Sequence, residues 1–406
     1  MGLINVFTFI FFLCVVNTVF VKTMIKNKTY GKIIDRIVLA FTIANLVSLL
    51  FADRIYEQIT IRCLITSTAM FFILRKYSPT DKQKIMIIHW LGGFTVFIAG
   101  LSILQMIFPD TMNTIAYKYF SSKDTYGLLN DFNRGRLLHW GSIILSFPFF
   151  YASYALLQKQ CKRMIVNLYG ICGFSIIFLS MIASNFRWTA FVFVVVSVYV
   201  VFQLTLHKFL SKKNITYGIA MVCLMAIVGL IFSTTFLGYN MLDRILITNP
   251  DRDWNEGAGR LQLFNQALGV FLGSPIFGVG IGNYLHYLDQ YNYIRYFSIH
   301  DQVQYITAPA AAHNEFLTVL SESGIIGLVL FVLFVYITMR ESYKRMRLYH
   351  GEKNGLTYLY PLLIFSSYLS FCLYVMFENI YPHNYLYIFS LSGILFSWFS
   401  IIKEKT

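Results

Sequence analysis

Ala312-His313-Asn314-Glu315-Phe316-Leu317 runs on through Ser321-Glu322-Ser323-Gly324-Ile325-Ile326-Gly327 into an apolar helix. A histidine, an amide and two carboxylates stand at the entrance of a segment otherwise built for lipid, where polar groups are costly and usually functional. Histidine titrates near neutrality, so His313 is able to take a proton from an attacking hydroxyl within a reach of about 3 Å. A histidine that caps the helix or binds interfacial water accounts for the same residue without chemistry. On a continuous helix each residue advances about 100°, which puts Glu315 and Glu322 on one face, roughly opposite His313, and leaves Asn314, Thr318 and Ser321 nearer to it. His89, His139, His207, His286, His300, His350 and His383 have no comparable company and read as structural.

Arginines are the second candidate set. Gly257-Ala258-Gly259-Arg260 precedes Leu261, Phe264, Ala267, Leu268, Phe271 and Leu272, a stripe that predicts an amphipathic helix ending near Gly273-Ser274-Pro275. Arg260 is expected at its start, where unpaired amides favour anions and the guanidinium fork suits phosphate oxygens. Arg187, in Ser184-Asn185-Phe186-Arg187-Trp188, falls between two apolar runs and is also a candidate anion ligand. Arg134 and Arg136, in Asn133-Arg134-Gly135-Arg136, are supporting candidates. Snorkelling to lipid headgroups explains the same arginines without a ligand.

Gly278-Val279-Gly280-Ile281-Gly282-Asn283 has glycine spacing that suggests nucleotide phosphates, but no strand precedes it and no P-loop lysine follows. It reads as a turn. Tyr284, Tyr287, Tyr291, Tyr293, Tyr296 and Tyr305 follow; they suit stacking on sugar rings, or an aromatic belt at the membrane interface.

The elements that must position these residues follow from composition. With 57% apolar residues, 18% aromatics and 13% charges over 406 residues, the chain lacks the polar surface of a soluble domain. Eleven apolar runs of about 20 residues are expected to span a bilayer: 3–21, 33–51, 56–74, 85–108, 137–157, 164–184, 188–206, 216–237, 314–338, 357–377 and 384–402. The predicted fold is all-α, a polytopic transmembrane helical bundle. The expected organisation is about eight spans in 1–237, a large partly helical extracytoplasmic loop over 238–312, and about three spans in 313–406. A shorter outer connection runs from Pro109 to Arg136.

Charge orients the spans. Twenty-two of the 33 basic residues fall in the connections after the first, third, fifth, seventh and ninth spans and at the C-terminus. Basic residues accumulate on the cytoplasmic side, so the N-terminus is expected outside and the C-terminus inside. The net charge of +14 then divides into about +17 inside and about −3 outside, a pattern of membrane insertion that leaves no case for nucleic-acid binding. The first span reads as retained, since no basic residue precedes it and Val19-Phe20-Val21 offers no small-residue cleavage site. The six cysteines stand singly, without disulfide or zinc spacing. No metal-ligand spacing of histidines and carboxylates appears.

His313-Asn314-Glu315-Phe316-Leu317 with Glu322-Ser323-Gly324-Ile325-Ile326-Gly327, preceded by Gly259-Arg260-Leu261 and by Ser274-Pro275-Ile276-Phe277-Gly278-Val279-Gly280-Ile281-Gly282-Asn283-Tyr284, resembles the O-antigen polymerase and ligase family of bacterial membrane glycosyltransferases. The close resemblance covers about 257–338, and the Arg187 segment is similar more loosely. It implies transfer of a glycan from undecaprenyl diphosphate to a sugar hydroxyl on the outer face of the cytoplasmic membrane, with no cofactor and no essential metal. By the same resemblance Arg187 and Arg260 would hold the donor diphosphate and His313 would act as base or orient the acceptor, with Asn314 and Arg136 supporting. Arginines able to stabilise a diphosphate leaving group fit such chemistry.

Polymerase and ligase share these motifs. A polymerase of O-antigen or capsular repeat units is favoured because the tyrosines suit a second carbohydrate. The alternatives are a ligase acting on lipid A core and, in a different class, a flippase for the same lipid-linked units, although no internal repeat supports the last. Implied partners are the lipid-linked oligosaccharide and membrane lipid, with a chain-length regulator and a flippase as candidates.

Overall fold

The computed structural model describes residues 31–52, 58–76, 80–108, 111, 140–160, 164–183, 187–210, 250–288, 295–299, 302–306, 312–349, 355–377 and 382–397. Their helices are α1 (Gly31–Ser48), α2 (Gln58–Lys76), α3 (Asp81–Ile107), α4 (Trp140–Gln160), α5 (Met164–Ala183), α6 (Arg187–Leu206), α7 (Pro250–Gly273), α8 (Tyr284–Leu288), α9 (Glu315–Leu348), α10 (Gly355–Val375) and α11 (Pro382–Ser397). Two strands, β1 (Arg295–Ile299) and β2 (Gln302–Ile306), form an antiparallel hairpin.

Nine of the expected spans fall on described helices. Six are long and apolar enough to cross a membrane: Ile33–Phe51, Asp81–Gln105, Met164–Met181, Trp188–Leu206, Glu315–Leu348 and Gly355–Val375. The runs expected at 3–21 and 216–237 lie outside the described residues. The chain is a helical membrane protein, and the hairpin qualifies the all-α expectation. Within 295–306 the apolar residues are interrupted by Arg295, Ser298, His300, Asp301, Gln302 and Gln304, and two runs of five residues give only a weak strand signal from sequence.

The described helices fall into two compact units. The first combines Met1–Pro79, Pro250–Lys344 and Val375–Thr406, and so holds α1, α2, α7, α8, the hairpin, most of α9, and α11. Its centre is aromatic: Phe41 of α1 stacks on Phe331 of α9 at 5.7 Å, and Phe389 of α11 lies against Phe334 at 4.7 Å. Hydroxyls join the helices where rings do not, Thr42 with Thr68 at 2.7 Å and Thr338 with Ser392 at 3.2 Å. Such bonds satisfy polar groups that hydrocarbon would leave stranded. Gly393 lets α11 approach α2 closely, since a Cβ there would stand 2.7 Å from the carbonyl oxygen of Phe71.

The two ends of this unit differ chemically. At one end Asp35 pairs with Arg75 at 3.3 Å, and Arg75 also donates to the carbonyl of Phe396. α9 runs antiparallel to α1, pairing Ser323 with Asn45 and Phe331 with Phe41, so its basic residues Arg340 and Lys344 point toward that same end. The opposite end carries Asn45, Ser48 and the start of α9.

The second unit combines Thr80–Asn249 and Arg345–Tyr374. α3 lies against α4 where Gly92 leaves room: a Cβ there would meet Ser153 Cβ at 2.9 Å. His89 joins Ser153 at 2.8 Å, and Thr95 donates to Ser146 at 2.8 Å. α6 packs on α10 through Trp188, which donates to the carbonyl of Leu373, and through Tyr358, which donates to Gln203 at 2.7 Å. His207 stacks on Tyr358 with ring centres 3.6 Å apart. His89 and His207 thus hold packing roles, as expected of them.

Candidate functional site

α9 is not one helix. Gly324 has φ 63 and ψ −167, a conformation open in practice only to glycine, and it divides α9 into a short first piece and a long second one. The piece beginning at Ile325 has 24 residues, about 36 Å, and suffices alone to cross a bilayer. Glu315 to Ser323 therefore form a separate short helix at its mouth.

A break in a helix strands main-chain groups, and the glycine-rich segment 274–283 supplies their partners. Val279 N–H donates to the carbonyl of Ser321 at 3.0 Å and Gly280 N–H to that of Glu322 at 2.9 Å. Ile325 N–H, which an unbroken helix would direct to Ser321, donates instead to the carbonyl of Pro275 at 2.9 Å. Gly278, Gly280 and Gly282 all have positive φ, so every second residue winds the loop left-handed. Their spacing serves this docking, and the segment is a turn as the sequence suggests. Its far side rests on the end of α1 and the turn just after it: Ile281 N–H donates to Ser48 Oγ at 3.2 Å and Phe277 stacks on Phe51 at 4.4 Å, while Ser323 Oγ of α9 donates to Asn45 Oδ1 at 2.6 Å.

His313 stands just before the first piece. Its φ of 48 takes it off the helix, so the 100° reckoning from His313 to Glu315 and Glu322 does not apply. The backbone turns there because Asn314 is the helix cap: its Oδ1 accepts Leu317 N–H at 3.0 Å, and its Nδ2 donates to the carbonyl of Met376 at 3.1 Å. Capping requires Asn314 to be non-helical, and the left-handed residue before it aims the chain. His313 is half-buried between a fully buried Ala312 and a Glu315 that is 4% exposed. Ala312 belongs to a core with Ala267 and Val270 of α7, Val279 and Tyr284.

Glu315 and Glu322 do share a face of α9, as their spacing predicts. Tyr385 of α11 donates its hydroxyl to Glu315 Oε1, and Glu322 acts electrostatically on the same phenol. Glu322 also accepts Tyr284 N–H at 3.3 Å. Tyr385 is absent from the sequence reading because it sits in a run that looks uniformly apolar. The signal available was Glu315 itself, since a carboxylate at a membrane entrance needs a donor.

α7 corrects the reading of Arg260. The helix starts at Pro250, ten residues earlier than expected, because proline is favoured in the first turn and Gly257 and Gly259 are tolerated inside. Arg260 is thus in the interior of α7, and the helix-terminus argument for it fails. The buried face is Leu263, Gln266, Ala267 and Val270, whereas Leu261, Leu268 and Leu272 of the expected stripe are exposed. Arg260 precedes Ala267 by seven residues, which places it on the same face, about 10 Å further along the axis from the residue that packs with Ala312.

Arg187 is the first residue of α6, in the second unit. The side chains of Arg187 and Arg260, and all of Arg134 and Arg136, lie outside the described residues. Among the tyrosines, Tyr284 is a core residue and Tyr287 packs against that core, so neither forms an open platform. Tyr296 and Tyr305 are direct partners across the hairpin. Tyr291 and Tyr293 lie outside the described residues. Among the described residues no group of three or more histidines, cysteines or carboxylates is placed to hold a metal, and Cys63 and Cys172 are free thiols.

One comparison bears on this arrangement. Residues 172–332 match the O-antigen ligase family. That O-antigen ligase match takes in Arg187, Arg260, the docking loop and His313, and it ends within the long second piece of α9. It bears out the resemblance drawn from the His-Asn and glycine-rich motifs. A glycosyltransferase of the O-antigen ligase or polymerase type, held in a membrane by several apolar helices, is the function class this supports. No curated protein matches the chain.

Proposed function

We propose that this chain polymerises undecaprenyl-diphosphate-linked oligosaccharide repeat units at the outer face of the cytoplasmic membrane, N-terminus outside and C-terminus inside. In the reaction a sugar hydroxyl of the next unit attacks the anomeric carbon of the growing glycan. His313 takes the hydroxyl proton as the bond to the diphosphate breaks, and undecaprenyl diphosphate leaves with its charge met by Arg260. Arg187 is assigned to the diphosphate by the family resemblance alone.

The observation that supports this reading best is the setting of His313. It is half-buried, on a left-handed residue, and clamped between anchored neighbours, of which Ala312 packs against the helix that carries Arg260. This end of the helical cluster lies opposite the basic end, which the charge rule assigns to the cytoplasm. For the acceptor, Tyr296 and Tyr305 are register partners in the hairpin, and tyrosine is a residue type that suits a sugar.

Ligase activity is the second reading, favoured by the description of the matching family. Purified protein supplied with a lipid-linked repeat unit, with and without lipid A core, separates the two. A ladder of lengthened lipid-linked glycans supports polymerisation; transfer only to lipid A core supports ligation; no transfer to either acceptor sinks both.

A further inference from the structure

The start of α9 is tied to the helices that follow it by a buried carboxylate and phenol that the proposed reaction does not use. Glu315 is 4% exposed and accepts the hydroxyl of Tyr385, itself buried against Phe331 and Phe389. An ionised carboxylate in such surroundings is costly unless a donor meets it, and removing the donor alone exposes the full cost. The pair lies one residue beyond Asn314, whose amide is tied to Met376. On the other side Ala312 is sealed into the core of α7 and the docking loop. Between these two anchors sits the one half-buried residue with strained backbone, His313. A left-handed non-glycine residue persists only where its surroundings over-determine it.

We infer that Glu315 and Tyr385 are positioning residues: their hydrogen bond holds the first turn of α9 so that the His313 imidazole keeps the line along which it meets the acceptor hydroxyl. This rests on the reading of His313 as the base. Glu322 on the same helix face already accepts Tyr284 N–H at the start of α8. Because the bond orients without touching substrate, its loss lowers turnover and leaves donor affinity alone.

The test compares Glu315→Ala, Glu315→Gln, Tyr385→Phe and the double variant Glu315→Ala/Tyr385→Phe, using full-length protein, a lipid-linked repeat unit and kcat per folded molecule. Glu315→Ala and Tyr385→Phe are each expected to lower kcat about 10- to 100-fold with donor KM within about twofold, as small misplacements of catalytic groups do. Glu315→Gln keeps an oxygen acceptor for the phenol and is expected to retain kcat within about threefold, and the double variant to fall no further than the worse single change. Folded variants with unchanged kcat, additive losses, or a Gln variant no better than Ala would overturn the inference. If Glu315→Ala does not fold, Tyr385→Phe against Glu315→Gln decides alone. His313→Ala in the same assay keeps the two ideas apart: an active His313→Ala ends the proposed function, whereas a dead His313→Ala beside unaffected pair variants ends only this inference.

Discussion

Gly324 and Ile276 meet main chain to main chain, so closely that a Cβ on Gly324 would fall on the Ile276 carbonyl. Gly278 makes the reciprocal approach to the carbonyl of Glu322. Two glycine motifs far apart in sequence are therefore the two halves of one joint between the loop and α9.

Gly324→Ala should destabilise the protein by at least about 2 kcal/mol, because a side chain adds clash to a backbone conformation that already excludes it. Thermal unfolding in detergent measures it. Gly93→Ala serves as the contrast: nothing lies within 4 Å of its added Cβ in the middle of α3, and a gain of about 0.5 kcal/mol is expected.

His313 carries two separable properties, its left-handed backbone and its imidazole. Asparagine tolerates that backbone, so His313→Asn should keep the amount of folded protein and abolish glycan transfer. His313→Val should lose transfer and also reduce stability by about 1–2 kcal/mol, since a β-branched residue resists positive φ. Equal melting temperatures for the two variants would contradict the strain argument.

Asn314→Ala removes the cap of α9 and the tie to Met376, and should cost about 1–2 kcal/mol. Asn314→Asp retains an oxygen for Leu317 N–H but loses the amide donor, so its stability should fall between the two. Denaturant titration ranks the three.

Ser323→Ala should cost about 1–3 kcal/mol by leaving the Asn45 amide oxygen buried without its hydroxyl. Asn45→Leu combined with Ser323→Ala should recover part of that loss, because removing both partners leaves nothing unsatisfied. A double variant less stable than Ser323→Ala would count against the bond.

Arg260→Lys keeps the charge and loses the planar fork, so transfer should drop about 10-fold through donor KM, and Arg260→Ala should drop it about 100-fold or more. Initial rates against lipid-linked donor concentration measure both. Full activity of Arg260→Ala would remove that residue from the diphosphate site.

The membrane class, the helical architecture and the family resemblance were legible in the chain because each depends on local quantities. Runs of about 20 apolar residues, lysines gathered in short connections and contiguous motifs need no knowledge of what folds onto what. The identity of face between Glu315 and Glu322 was legible for the same reason, as a consequence of helical period. What failed at this level was the start of α7 and its buried face, where proline and two glycines carry weak local preferences that packing overrides. The stripe through Leu261 and Leu272 was apolar but faces outward, and in a membrane protein an apolar residue gains as much from lipid as from a core.

Sequence alone thus determined that this protein crosses a membrane as helices and that His313, Asn314, Glu315 and Glu322 gather at one entrance. Only the tertiary structure decided that the entrance helix breaks at Gly324, that segment 274–283 fills the break, and that Tyr385 answers Glu315. The division has one physical cause. Hydrophobicity and period are carried by neighbours along the chain, whereas a freed carbonyl or a buried carboxylate is satisfied by whichever donor the fold brings near, here from residues about 40 to 70 positions away.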